Sequence, residues 1–221
     1  MRPVGEPIRS EGVVTAINFS RNGRIVATGS LDGTVPLWDA GTGKPIGQPM
    51  TGKGYVTHIT FGRDGHLLAV GTLDSTLRLW DTGTFQPLGD PMRTDAAVGV
   101  ATFSPDGRTV ASGSADGSIR LWDVGERTQL GAPLTGHTQG VFSLDFSPDG
   151  TKLLSGSEDH TLRVWPVPAA SPEALCDKLT HNMSRQQWNA WVSPVIAYIK
   201  VCPTLPVSDS AGWTLIAMKG R

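Results

Sequence analysis

His137, Ser155 and Asp159 are the residue types of a nucleophilic triad, and Trp165 lies just beyond them. A serine attacks when a neighbouring imidazole takes its proton and a carboxylate orients that imidazole. A hydrolase reading on His137 and Ser155 therefore exists for this chain. It requires an open cleft around both side chains; their burial beneath Trp165 removes it. The other chemistries find less support. The histidines stand at 58, 66, 137, 160 and 181, without the spacing of a metal centre. No P-loop or paired-glycine phosphate motif is present. The residues thus predict no metal, no cofactor and no enzyme.

The elements that must position these residues are written four times. Residues 103–123 read FSPDGRTVASGSADGSIRLWD. Asp106-Gly107 and Asp116-Gly117 supply the positive φ of two tight turns. Short apolar runs flank both turns, so the segment predicts a meander of three strands. It recurs at 19–39, 61–81 and 146–166, and tryptophans at 38, 80, 122 and 165 set a spacing of 42, 42 and 43. A short Pro-Gly run precedes each copy, at 4–8, 46–50, 88–92 and 130–134. Proline lacks an N–H, so such a run belongs at a sheet edge, as the outermost strand.

A period near forty residues ending in Trp-Asp is that of a four-stranded propeller blade. The chain resembles the WD40 family over residues 1–166, in repeats at about 4–39, 46–81, 88–123 and 130–165. The expected fold class is all-β, with WD40 β-propeller blades in an incomplete ring and a short helical C-terminal tail. The resemblance implies that each outer strand completes the blade before it. Residues 4–8 then belong to a blade whose other strands the chain lacks, while Pro166-Val167-Pro168 opens no fifth such run. Three readings follow. The chain is the C-terminal part of a longer ring; or two copies complement each other; or residues 4–8 close a four-bladed ring on 161–165.

The resemblance also assigns His137, Ser155, Asp159 and Trp165 to structure. In WD40 blades the His of a Gly-His pair, a strand hydroxyl, a turn aspartate and the Trp form a buried hydrogen-bond chain. The other blades keep Asp32, Asp74 and Asp116 with Trp38, Trp80 and Trp122. Thr28 and Ser112 fill the hydroxyl position, Val70 replaces it in the second, and Glu11, Lys53 or Asp95 stands for the His. Those three blades are expected to use a shorter contact set, or water, and to be weaker than the last. By the same resemblance the partner-binding rim maps to Thr15 and Val13, Thr57 and Tyr55, Gly99 and Ala97, Phe142 and Gly140, with Leu31, Leu73, Ala115 and Glu158. Tyr55 and Phe142 lead, because aromatic anchors dominate interfaces. The competing reading is that they pack blade against blade.

Net charge is −1 with both signs interspersed, so no basic footprint for nucleic acid is present. No apolar run reaches the ~18 residues that span a membrane. The N-terminus has no apolar stretch of a signal peptide, and the chain reads as soluble and cytoplasmic. Residues 167–206 change character. Ser171-Pro172-Glu173 and Ser184 with Gln187 open two short helices, and 207–221 has no assigned role. This stretch resembles the appendix behind WD40 arrays in large actinobacterial proteins, which carry STAND-type ATPase, TIR or kinase modules. Cys176 and Cys202 flank the helices and could form a disulfide; the alternative is two free thiols. Leu175, Leu179, Trp188 and Trp191 would pack the helices on the last blade. The function expected is a non-catalytic protein-interaction scaffold or sensor, the C-terminal piece of a larger bacterial signalling protein. The alternatives are a degenerate gene remnant and the hydrolase.

Overall fold

The computed structural model describes residues 7–167. The chain divides into two units, Met1–Pro168 and Ala169–Arg221. The helices expected after 170, their docking on the last blade and the pairing of Cys176 with Cys202 lie outside the described residues.

Among the described residues, fifteen strands build four antiparallel sheets, one per repeat. The first blade is β1 (Val14–Phe19), β2 (Ile25–Ser30), β3 (Thr34–Asp39) and β4 (Pro45–Thr51). The second holds β5 (Val56–Phe61), β6 (Leu67–Thr72), β7 (Thr76–Asp81) and the two-residue strands β8 (Gln86–Pro87) and β9 (Met92–Arg93). The third is β10 (Val98–Phe103), β11 (Thr109–Ser114) and β12 (Ile119–Asp123). The fourth is β13 (Val141–Phe146), β14 (Lys152–Ser157) and β15 (Leu162–Pro166).

The outer runs at 46–50, 88–92 and 130–134 each join the triplet before them. β4 pairs with β3, and β8 and β9 both pair with β7. In the third blade this edge is reduced to two bridges, Trp122 to Gln129 and Ile119 to Leu134. Gly47, Gly89 and Gly131 all turn to positive φ, and Pro49, Pro91 and Pro133 all lack an N–H, yet β4 stays continuous, so these residues alone do not decide the reduction.

The core lies between blades rather than within them. Ala27, Val35, Leu37 and Met50 of the first meet Val56, Ile59, Phe61, Leu68 and Trp80 of the second. Ala69, Leu77, Leu79 and Met92 meet Val98, Ala101, Val110 and Trp122 in the same way. Ala111, Ile119 and Leu121 meet Val141, Leu144, Phe146 and Leu153 at the third junction. One contact recurs at all three. The valine that opens the next blade's first strand seats on a glycine of the previous blade's second strand. A Cβ on Gly29 would stand 2.3 Å from Val56 Cγ1, and Cβ atoms on Gly71 and Gly113 would stand 2.7 Å from Val98 Cγ1 and Val141 Cγ1. No Cβ fits at such a distance, so the close approach demands glycine.

Among the described residues, the two end blades are covered on one face only. Of the segment expected to close a four-bladed ring, Pro7 and Ile8 are described and form no strand, and Leu162 and Val164 of β15 stay open to solvent.

Candidate functional site

The triad-type residues come together in the fourth blade. Gly136-His137 lies in the loop before β13, Ser155 is in the middle strand β14, and Asp159 is in the turn to β15, which carries Trp165. The Trp165 indole N–H donates to Ser155 Oγ at 2.8 Å. Ser155 Oγ lies 2.7 Å from His137 Nε2, and His137 Nδ1 lies 2.8 Å from Asp159 Oδ2. One tautomer satisfies all three: Trp165 donates to Ser155, Ser155 to Nε2, and Nδ1–H to the carboxylate. The distances are those of a catalytic triad and the access is not. Ser155 is 0% exposed and His137 7%, with the Trp165 ring edge-on to the imidazole at 6.1 Å. A serine without solvent access offers no approach to an acyl carbon. The Asp159 carboxyl is held far below the usual carboxylate range. The Thr161 hydroxyl is the main cause, helped by the imidazole and the Thr138 amide against the opposing cost of burial.

The other blades differ at the same positions. Trp38 donates to Thr28 Oγ1 at 2.9 Å, and Asp32 accepts from the Thr34 amide and hydroxyl at 2.9 and 2.7 Å. Trp122 donates to Ser112 Oγ at 2.9 Å, and Asp116 accepts from the Ser118 amide and hydroxyl. In the second blade Val70 offers Trp80 no hydroxyl, while Asp74 accepts from the Thr72 and Thr76 hydroxyls. The expected shorter contact set needs one correction, in the third blade. Asp95, at the His position, pairs with Arg120, and Arg120 Nη1 donates to Ser118 Oγ at 2.7 Å. The Arg120 guanidinium is buried at 5% exposure and requires that partner. The local signal was an acid at 95 and an arginine two residues before Trp122.

The rim residues separate into two groups. Every first strand carries a bulge at one position, and Thr15, Thr57, Gly99 and Phe142 are its extra residues. A bulge re-aims a side chain. Thr15 Oγ1 donates to Val56 O of the next blade at 2.6 Å, and Thr57 Oγ1 donates to Val98 O. These two hydroxyls bind blade to blade. At the third junction Gly99 has no side chain, and a Cβ there would stand 2.8 Å from Val141 O and 3.0 Å from the Phe142 ring. Leu31, Tyr55, Leu73 and Phe142 form the second group, large apolar side chains open to solvent, with Glu158 also exposed. Backbone bonds from Leu31 N to Val13 O, Leu73 N to Tyr55 O and Glu158 N to Gly140 O place them at the same end of every blade. Among the described residues no group of three or more His, Cys, Asp or Glu could hold a metal ion.

The family model for the WD domain, G-beta repeat, matches residues 5–39, 43–81, 91–123 and 128–166, more than half of the chain. The chain belongs to the WD40 family, whose β-propellers generally serve as protein-interaction scaffolds and are typically non-catalytic. Among solved structures it is similar to the computationally designed Ika4 protein: 29% identity, TM-score 0.65, covering 75% of this chain and 100% of that one. It is also similar to the computationally designed Ika8 protein, with 31% identity and a TM-score of 0.63. That match covers 72% of this chain and 47% of Ika8, so the chain spans about half of the Ika8 length. No curated protein matches. Among the described residues no helix is long and apolar enough to cross a membrane.

Proposed function

We propose that this chain is a non-catalytic docking platform whose rim of Leu31, Tyr55, Leu73 and Phe142 receives a protein partner. The carrying observation is that Tyr55, Leu73 and Phe142 are each more than half exposed at one end of the blades. Large apolar side chains held open by a rigid sheet cost little entropy on binding and bury much area. The near-neutral net charge favours protein over nucleic acid as partner. In a larger cytoplasmic signalling protein such a rim would present the sensor surface. Ser155, His137, Asp159 and Trp165 hold the fourth blade and do no chemistry.

A triple variant, Tyr55→Ala, Leu73→Ala and Phe142→Ala, tests the reading. In cross-linking and pull-down from the native lysate, partners held by the parent chain should be lost by the variant. Its melting transition should remain that of the parent. Partners retained at full strength by the variant, or an esterase activity abolished by Ser155→Ala, would sink the proposal.

A further inference from the structure

The two outward faces of the end blades carry the halves of one more junction. Val14, Ile17 and Phe19 of β1 are 45, 64 and 59% exposed. Their counterparts Val56, Ile59 and Phe61 in the second blade are 1, 1 and 8% exposed, and Val141, Leu144 and Phe146 in the fourth are 0, 8 and 7%. At the other end Leu162 and Val164 of β15 are 75 and 63% exposed. The same positions are Val35 and Leu37, Leu77 and Leu79, Ile119 and Leu121, all at 5% or below. Leu162 and Val164 are thus of a kind that the molecule buries three times elsewhere, and Val14, Ile17 and Phe19 of a kind that it buries in the second and fourth blades.

The fit extends to the socket. Gly29, Gly71 and Gly113 each receive the valine of the following blade. Gly156 is the fourth glycine of that series and Val14 the fourth valine. At Gly156 a Cβ would meet Leu162 and Ser143 of its own blade, and no valine from a following blade. A blade's two faces differ, so neither uncovered face matches itself; each matches the other.

We propose that two copies of this chain join head to tail, with Val14 of each seated on Gly156 of the other, to close a ring of eight blades. Such contacts are heterologous, and they end in a ring when the rotation closes and in a filament when it does not. Eight blades lies within the range of closed propellers, and twelve does not. For the four blades of this chain, a second copy is the occupant that gives a ring within that range. The surface is separate from the partner rim.

Light scattering on the 23.4 kDa chain should give twice that mass at tens of micromolar. Ile17→Asp and Leu162→Asp should each give a single-copy mass. Mixing the two variants should restore the double mass, because one junction of the mixed pair is wild type on both sides. A wild type that stays single, a larger open series of masses, or no recovery on mixing would overturn the proposal. So would a double mass retained by either variant alone, which would mean like faces pair. Hydrogen exchange on the wild type guards against misfolded variants: protection in β1 and β15 should rise with concentration, and a flat response is also fatal.

Discussion

At the scale of single residues, the energetics of these blades turn on whether a buried N–H finds an acceptor. Ser155 receives the Trp165 N–H and lies within hydrogen-bond distance of His137, so Ser155→Ala leaves two buried groups short of a partner. The expected loss is about 1–3 kcal/mol, read from urea midpoints. The reverse change is available in the second blade. Val70→Thr supplies Trp80 with the hydroxyl that Thr28 gives Trp38, and should stabilise by about 0.5–1.5 kcal/mol. His58 bears on pH. Burial holds its imidazole below the ordinary value, against a smaller opposing hydrogen bond that the ring donates to the Ala101 backbone. The unfolded chain then takes up the proton more readily than the folded one. Stability from this site is full above the ordinary histidine value of about 6.5 and declines as pH falls through the lowered one. His58→Gln should flatten the urea midpoint across pH 5–7, whereas an unchanged slope would exclude this residue as the cause. The sequence holds the partners, an acid at 95 and an arginine at 120, but nothing in it joins the two. The two lie 25 residues apart on the chain, and the folding of the third blade brings them together. The turn aspartates were legible, because an Asx side chain two residues before an amide is a local hydrogen bond.

The elements show a similar division. The second turn of each blade needs a left-handed residue. It is Gly33 and Gly117 at φ 83° in two blades, but Ser75 at 63° and His160 at 65° in the others. A side chain in that region costs about 1–2 kcal/mol, and the extra freedom of glycine in the unfolded chain returns about 0.5–1 of it. Ser75→Gly should therefore raise the thermal midpoint, with a net gain of about 0.5–1 kcal/mol. A lowered midpoint would mean the Ser75 side chain makes an unrecognised contact. Strands and turns could be read from alternation and Asx-Gly pairs because both are set within a few residues. The bulge at Thr15, Thr57, Gly99 and Phe142 could not. It has no composition of its own, and it converts two of the mapped rim positions from partner contacts into inter-blade latches. The breakdown of the outer strand into β8 and β9 does not follow from Pro91, since β4 carries Pro49 and stays continuous. Whether a missing N–H breaks a ladder depends on the partner register.

On the scale of the molecule, coverage outweighs the hydrogen-bond count. The fourth blade has the longest polar chain, yet it leaves Leu162 and Val164 open; the second lacks the Trp80 hydroxyl, yet both its faces are packed. Fully burying one such side chain contributes about 1.5–3 kcal/mol, more than one net hydrogen bond at about 0.5–1.5. In dilute solution, hydrogen exchange should therefore be slowest in β6 and β11 and faster in β2 and β14. Equal protection across the four would show that the polar chains decide. The recurrence made the blade number legible, since a period is a property of the whole chain. The one-strand offset at its two ends also carried the incomplete ring, but left three ways of completing it, because ring closure depends on the angle each blade adds.

The seating of valine on glycine ties the history of neighbouring repeats together. A blade that drifts to a bulkier residue at its socket injures the blade that follows, not itself. Compensation must arise forty-odd positions downstream. Repeats coupled in this way evolve as linked pairs, and a gene duplication that copies whole blades preserves every pairing at once.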